Sequence, residues 1–141
     1  MHFNHLRILM VDENGPTRRH VSAMLHQIGV GILDEAGSAA EAFGLLRDHF
    51  PDVLLVGHVP DCEDGIAFTR LLRSTVRRDL PIILVSGYAD LWRLGEAKEA
   101  GANEFLVAPF TIRSLIQRLH RASTPAREAS ARDCEPVRYV G

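Results

Sequence analysis

Cysteine is scarce in this sequence: 141 residues contain two, Cys62 and Cys134. Two thiols so far apart make neither a disulfide framework nor a zinc site, and reduced thiols in a cytoplasmic protein are the expectation. Long hydrophobic runs are missing too. The opening segment, MHFNHLRILMVDEN, holds a short apolar stretch stopped by acids. It is too short for a signal-peptide core, and nothing elsewhere reaches the roughly 18 apolar residues of a membrane span. Net charge is small, −2 at neutral pH, which implies no overall pull toward nucleic acid or acidic lipid. What is present is ordinary for a soluble globular chain, 46% apolar and 24% charged residues. The length suits one domain with a modest tail, and its core needs no disulfide or metal.

Short apolar runs alternate with amphipathic stretches. Leu6 to Val11 reads as a buried strand that stops at Asp12-Glu13-Asn14-Gly15. Pro16 suits a first helical turn. Val21, Met24, Leu25 and Ile28 then recur at helical spacing until Gly29. Ile32 to Ala36 is a weaker strand. Ser38 can cap a helix in which Ala39, Ala42, Phe43 and Leu46 share a face. Val53 to Val56 is a continuous apolar run, as in a strand buried on both sides. A turn-rich loop, Gly57 to Gly65, leads to a short helix from Ile66 to Arg73. Pro81 to Val85 is a further strand, Leu91 to Ala100 a helix ended by Gly101, and Glu104 to Val107 a fifth strand. Ile112, Leu115, Ile116 and Leu119 form the last helical stripe. A βα order repeated with short connections predicts an α/β fold: a five-stranded parallel sheet between two helix layers, doubly wound. Its working site belongs at the carboxyl ends of the strands. The pattern stops near Ala122, so residues 1–121 are expected to form the domain and 122–141 a flexible tail.

Four segments in order, RILMVDEN, PDVLLVGHVPDCEDG, LPIILVSGYAD and AGANEFLVAPF, resemble the signature segments of bacterial response-regulator receiver domains, the CheY-like family. The resemblance runs from about Leu6 to Arg121. It implies a site that moves a phosphoryl group from a partner's phosphohistidine to an aspartate. That site needs a nucleophilic carboxylate after the third strand and an acidic pair after the first to hold Mg²⁺. It also needs a hydroxyl after the fourth strand and a lysine after the fifth. The acidic pair matches Asp12 and Glu13, and the hydroxyl matches Ser86. The nucleophile's place falls on Gly57, or on Val56 if the segment is anchored on Pro60 instead. The lysine's place falls on Ala108. Two of the four elements are therefore absent, which implies a degenerate receiver lacking both phosphoacceptor and lysine. Glycine and valine carry no nucleophilic atom. The lost carboxylate and the lost ammonium are of opposite charge, so losing both is nearly charge-neutral, as when a site is retired as a unit. No cofactor is expected, and weak Mg²⁺ binding at Asp12 and Glu13 is the most that remains.

In the family, signals leave through a face made of the fourth helix, fifth strand and fifth helix. Ser86 and Phe105 match its two switch positions. The corresponding face here carries Trp92 and Arg93 on the fourth helix, and Arg113 and Arg118 on the fifth. Trp and Arg are frequent interface anchors. The leading expectation is a stand-alone, non-enzymatic receiver acting without phosphorylation. It would bind a signalling protein (a kinase, regulator or output protein) or a second copy of itself. One alternative is a sensor of cyclic di-GMP, using Arg70, Arg73, Arg77 and Arg78 with Arg127, Arg132 and Arg138. Another is a phosphoacceptor employing Asp52, Asp61, Asp64 or His58. No DNA or membrane partner is expected, since no helix-turn-helix segment follows.

Overall fold

The apolar runs become five strands: β1 (Arg7–Val11), β2 (Ile32–Ala36), β3 (Val53–Val56), β4 (Ile82–Gly87) and β5 (Glu104–Ala108). Between and after them come α1 (Gly15–Gln27), α2 (Ala39–Asp48), α3 (Gly65–Arg73), α4 (Leu94–Ala100) and α5 (Ile112–Ala122). This is a computed structural model, and it describes residues 3–75 and 79–123. Of the expected tail, Ala122 instead ends α5, and residues 124–141, with Cys134 and Arg127, Arg132 and Arg138, lie outside the described residues, as do Arg77 and Arg78.

All pairings are parallel and the strand order is β2-β1-β3-β4-β5. The order reverses direction at β1, which places β1 and β3 side by side at the centre. Side chains of successive strand residues point to opposite faces, and the core divides accordingly. Leu9, Val11, Leu54, Val56, Ile82 and Leu84 pack under α2, α3 and α4. Ile8, Met10, Val53, Leu55 and Ile83 pack under α1 and α5. The amphipathic helices are held by this burial, each buried leucine contributing roughly 1.5–3 kcal/mol.

The helix starts follow local chemistry. Asn14 accepts the Thr17 N–H, Ser38 the Glu41 N–H, Asp64 the Ala67 N–H and Thr111 the Ser114 N–H, each satisfying an otherwise unpaired donor. The fourth helix departs from expectation. Residues Tyr88–Arg93 form a 3-10 segment, and the α-helix proper spans only Leu94–Ala100. No side chain caps α4, and Gly95 is a poor helix former in its first turn. Gly101 closes α4 with a left-handed φ of 111°, a conformation glycine adopts without steric cost.

Candidate functional site

The carboxyl ends of β1 and β3 are joined by backbone hydrogen bonds. Gly57 N–H donates to Val11 O at 2.8 Å, and Glu13 N–H donates to His58 O at 2.7 Å. This brings Asp12 against Gly57. Asp12 is 3% exposed. Its Oδ1 accepts the Asn14 N–H at 2.8 Å, which turns the side chain over the glycine. A Cβ built on Gly57 would fall on Asp12 Oδ2 and 2.9 Å from its carboxyl carbon. The Asp12 carboxylate thus occupies the space that any side chain at position 57 would require. Val56, the other candidate for that strand-end position, is fully buried in the core beneath α2–α4, whereas Gly57 lines the open cleft.

That cleft has a volume of about 250 Å³ and runs from Asp12 and Gly57 toward α4. Ser86, at the end of β4, and Ala108, at the end of β5, both line it. The register brings them close, pairing Ser86 with Val107 and Gly87 with Ala108. Four of the expected site positions, Asp12, Gly57, Ser86 and Ala108, are therefore gathered on one cavity. The fifth, Glu13, is exposed, and its carboxylate lies 3.8 Å from the His58 imidazole.

The donor set does not fit Mg²⁺. A hard dication needs several oxygens converging on one point. Asp12 and Glu13 diverge, the one over Gly57 and the other toward His58. No cluster of three or more metal-binding side chains occurs among the described residues.

The neighbouring carboxylates are held in other work. Asp52 Oδ2 accepts the Arg7 N–H at 2.8 Å. Asp61 accepts the Ala39 and Ala40 N–H groups at the start of α2, and the Ala39 bond above all holds its pKa below the ordinary value. For Asp64, burial pushes the pKa up. The Ala67 N–H and the Arg93 guanidinium at 2.7 Å more than offset that, leaving it lowered. Cys62, beside them, is a free thiol whose pKa is raised chiefly by burial. Sequence reasoning missed the capping roles of Asp61 and Asp64, and also Arg18. Arg18 Nη1 donates to Asp12 O at 2.6 Å while its Nε pairs with Glu35. An Asp three residues before an N–H that needs a partner was legible for Asp64. The reach from Asp61 to α2 spans distant segments and was not.

The expected interaction face needs correction. Trp92 and Arg93 lie in the 3-10 segment before α4, not on the helix. Trp92 is 80% exposed. Arg93 turns inward to Asp64 and Glu96, whose bonds raise its pKa, so its charge is spent within the fold. Arg118 is likewise held, 3.3 Å from Glu104 and largely buried. Arg113 is exposed as expected, and Phe105 is half-buried against the core. Tyr88 and Leu91 are exposed beside Trp92, giving an apolar patch along the 3-10 segment. The arginine cluster invoked for a nucleotide is also reduced. Arg73 points into the fold, donating to Gly101 O, Leu80 O and Asn103 Oδ1.

Comparison with known proteins decides the family. Residues 8–120 match the response regulator receiver domain. The chain belongs to the response-regulator receiver family. It is a receiver domain of two-component signalling, built on the CheY-like fold. It is 30% identical to the transcriptional regulatory protein PdtaR of Mycobacterium tuberculosis, over 92% of this chain and 62% of that protein. It is 31% identical to the transcriptional regulatory protein PhoP of Escherichia coli, over 81% of this chain and 50% of that one. The chain thus spans between half and two thirds of the length of these curated relatives. The receiver domain of NtrX from Brucella abortus superposes with a TM-score of 0.76 at 25% identity, covering 82% of this chain and 97% of that one. Among the described residues of this receiver, no helix is long and apolar enough to cross a membrane.

Proposed function

We propose that this receiver works without accepting a phosphoryl group, as an adapter or dimerising module that binds a signalling protein or a second copy of itself. The observation that carries the reading is Gly57. The residue at the end of β3, on the cleft where a receiver's nucleophile would stand, has no side-chain oxygen, and Asp12 fills the space beside it. Of the replacement acceptors, the carboxylates are engaged elsewhere, Asp52 with β1, Asp61 with α2, Asp64 with α3 and Arg93, while His58 stays exposed on the cleft beside Glu13. The binding surface is the face around Tyr88, Leu91 and Trp92 on one side and Arg113 on the other. A groove of about 300 Å³, lined among others by Tyr88, Leu91, Phe105 and Phe110, lies within it. Exposed aromatic side chains at a groove have the make-up of an interface anchor.

Two measurements test this. Incubation with acetyl phosphate and Mg²⁺, followed by intact-mass spectrometry, is expected to show no phosphoryl adduct; a stoichiometric adduct defeats the proposal. Capture of partners from the native host, with a light-scattering dilution series for self-association, is expected to lose its signal in Trp92→Ala. Unchanged association in that variant places the interface elsewhere.

A further inference from the structure

The cleft has chemistry of its own. Asp12 Oδ1 has its hydrogen bond, but Oδ2 accepts none from any described residue, although the side chain is almost wholly buried. That oxygen is not sealed in the core but opens on the cleft, where a ligand's donor or cation can reach it. No described residue donates a hydrogen bond to it. Ala108 presents a methyl group to the cavity, and the sequence has one lysine, Lys98, on the exposed side of α4. Among the described residues the one arginine on the cavity wall, Arg93, is bound to Glu96 and Asp64. Asp90 adds another carboxylate to the rim. Thr17, His58, Asp64 and Ser86 also line the cavity, and the side toward α4 is apolar, made of Leu84, Leu94, Ala97 and Phe105.

We infer that this cleft binds a small organic cation, an ammonium group on an apolar body. The ammonium hydrogen-bonds Asp12 Oδ2 in the space beside Ala108, and the body lies on Leu84, Leu94 and Phe105. The size fits. A cavity of about 150 Å³ accommodates a benzene ring, so about 250 Å³ holds a ring with a short amine-bearing arm. The electrostatics fit as well. A charge-assisted bond to a desolvated carboxylate is the strong kind, and it discriminates sharply against a neutral analogue. The site goes beyond the docking role proposed above and does not depend on it. The two meet at Leu91, Leu94 and Phe105, which line both the cleft and the groove of the exposed face. A ligand in the cleft therefore bears on the walls of the groove.

The test uses 2-phenylethylamine, with 2-phenylethanol and 3-phenylpropionate as neutral and anionic matches, titrated by protein-observed NMR and calorimetry at neutral pH. The amine is expected to bind at least about tenfold tighter than the alcohol, with shifts at Asp12, Ala108 and Phe105, and the acid not at all. Asp12→Asn, which keeps the shape, is expected to remove the preference of amine over alcohol. Ala108→Lys supplies an internal ammonium and is expected to abolish amine binding, with circular dichroism confirming the fold. If that variant does not fold, Leu94→Phe narrows the cavity and is expected to weaken both amine and alcohol. Equal affinity for amine and alcohol, no binding of either, or a preference that survives Asp12→Asn each overturns the inference.

Discussion

The two ends of the sheet are built on different terms. At the amino-terminal end of β4 and β5, one side chain ties three segments together. Arg73 reaches from the end of α3 to Leu80 O at 2.6 Å, to Gly101 O at 2.8 and 3.0 Å, and to Asn103 Oδ1 at 2.7 Å. Asn103 in turn accepts the Ile82 N–H. On the same edge, Asp52 binds the Arg7 N–H at the start of β1. The carboxyl-terminal end has a cavity, a carboxylate oxygen without a donor, a short uncapped helix and exposed aromatic residues. The first end ties backbone carbonyls and amides to charged and amide side chains, although Arg7 Nε is left there without a partner; the second keeps a cavity and a carboxylate oxygen open to it. Saturated groups hold a fold in place; unsatisfied ones are what a ligand or partner can use.

The widest gap between the ends should appear at Arg73. Arg73→Ala leaves the carbonyls of Leu80 and Gly101 and the Asn103 side chain short of a charged donor. A loss of about 2–4 kcal/mol in urea denaturation is expected. A loss below about 1 kcal/mol would mean that water replaces the guanidinium freely, and the contrast between the ends would fail.

Gly57→Ala probes the opposite end. The added methyl meets the Asp12 carboxylate and must displace it, at about 1–3 kcal/mol. Asp12→Ala vacates the space, so the double variant should be more stable than the sum of the two single losses predicts. Strict additivity in that cycle would show that Asp12 and Gly57 do not share the space.

Asp64→Ala comes next, at about 1 kcal/mol, for losing the cap of α3. The same carboxylate sets a pH dependence. Its folded pKa lies below the ordinary value of 3.8. Its stabilising effect is therefore complete above that value and lost as pH falls through the lowered folded pKa. Acid titration of stability should be shallower below pH 4 in Asp64→Ala than in the parent chain; equal slopes would show the carboxylate to be unpaired in solution.

The contrast also explains what could be read beforehand. Strands buried on both sides, such as Val53–Val56, announce themselves as apolar runs, and the helices by their stripes. Asp12, Gly57, Ser86 and Ala108 were legible as one site because each follows a strand, and a parallel sheet brings strand ends together. What the sequence concealed were side-chain directions. Arg93 and Arg118 look like surface charges in a string of letters. Their partners, Asp64 and Glu104, stand 29 and 14 residues away and become neighbours only through the fold. The helix expected from Leu91 becomes α-helical only at Leu94, with an uncapped start and Gly95 in its first turn.

The smallest effect on stability, and the sharpest on function, is expected at Trp92 itself. Its ring is mostly in solvent and touches the fold chiefly through the Arg93 guanidinium, 5.8 Å from the ring centre. A cation–π contact at an exposed site is worth about 0.5–1 kcal/mol, and Arg93 keeps Asp64 and Glu96 without it. Trp92→Ala should therefore change unfolding stability by no more than about 1 kcal/mol. Yet it should weaken partner or self-association by tenfold or more, as loss of an aromatic anchor does. A large stability loss would mean that the indole packs inward in solution, and the open end of the sheet would then be closed by its own tryptophan.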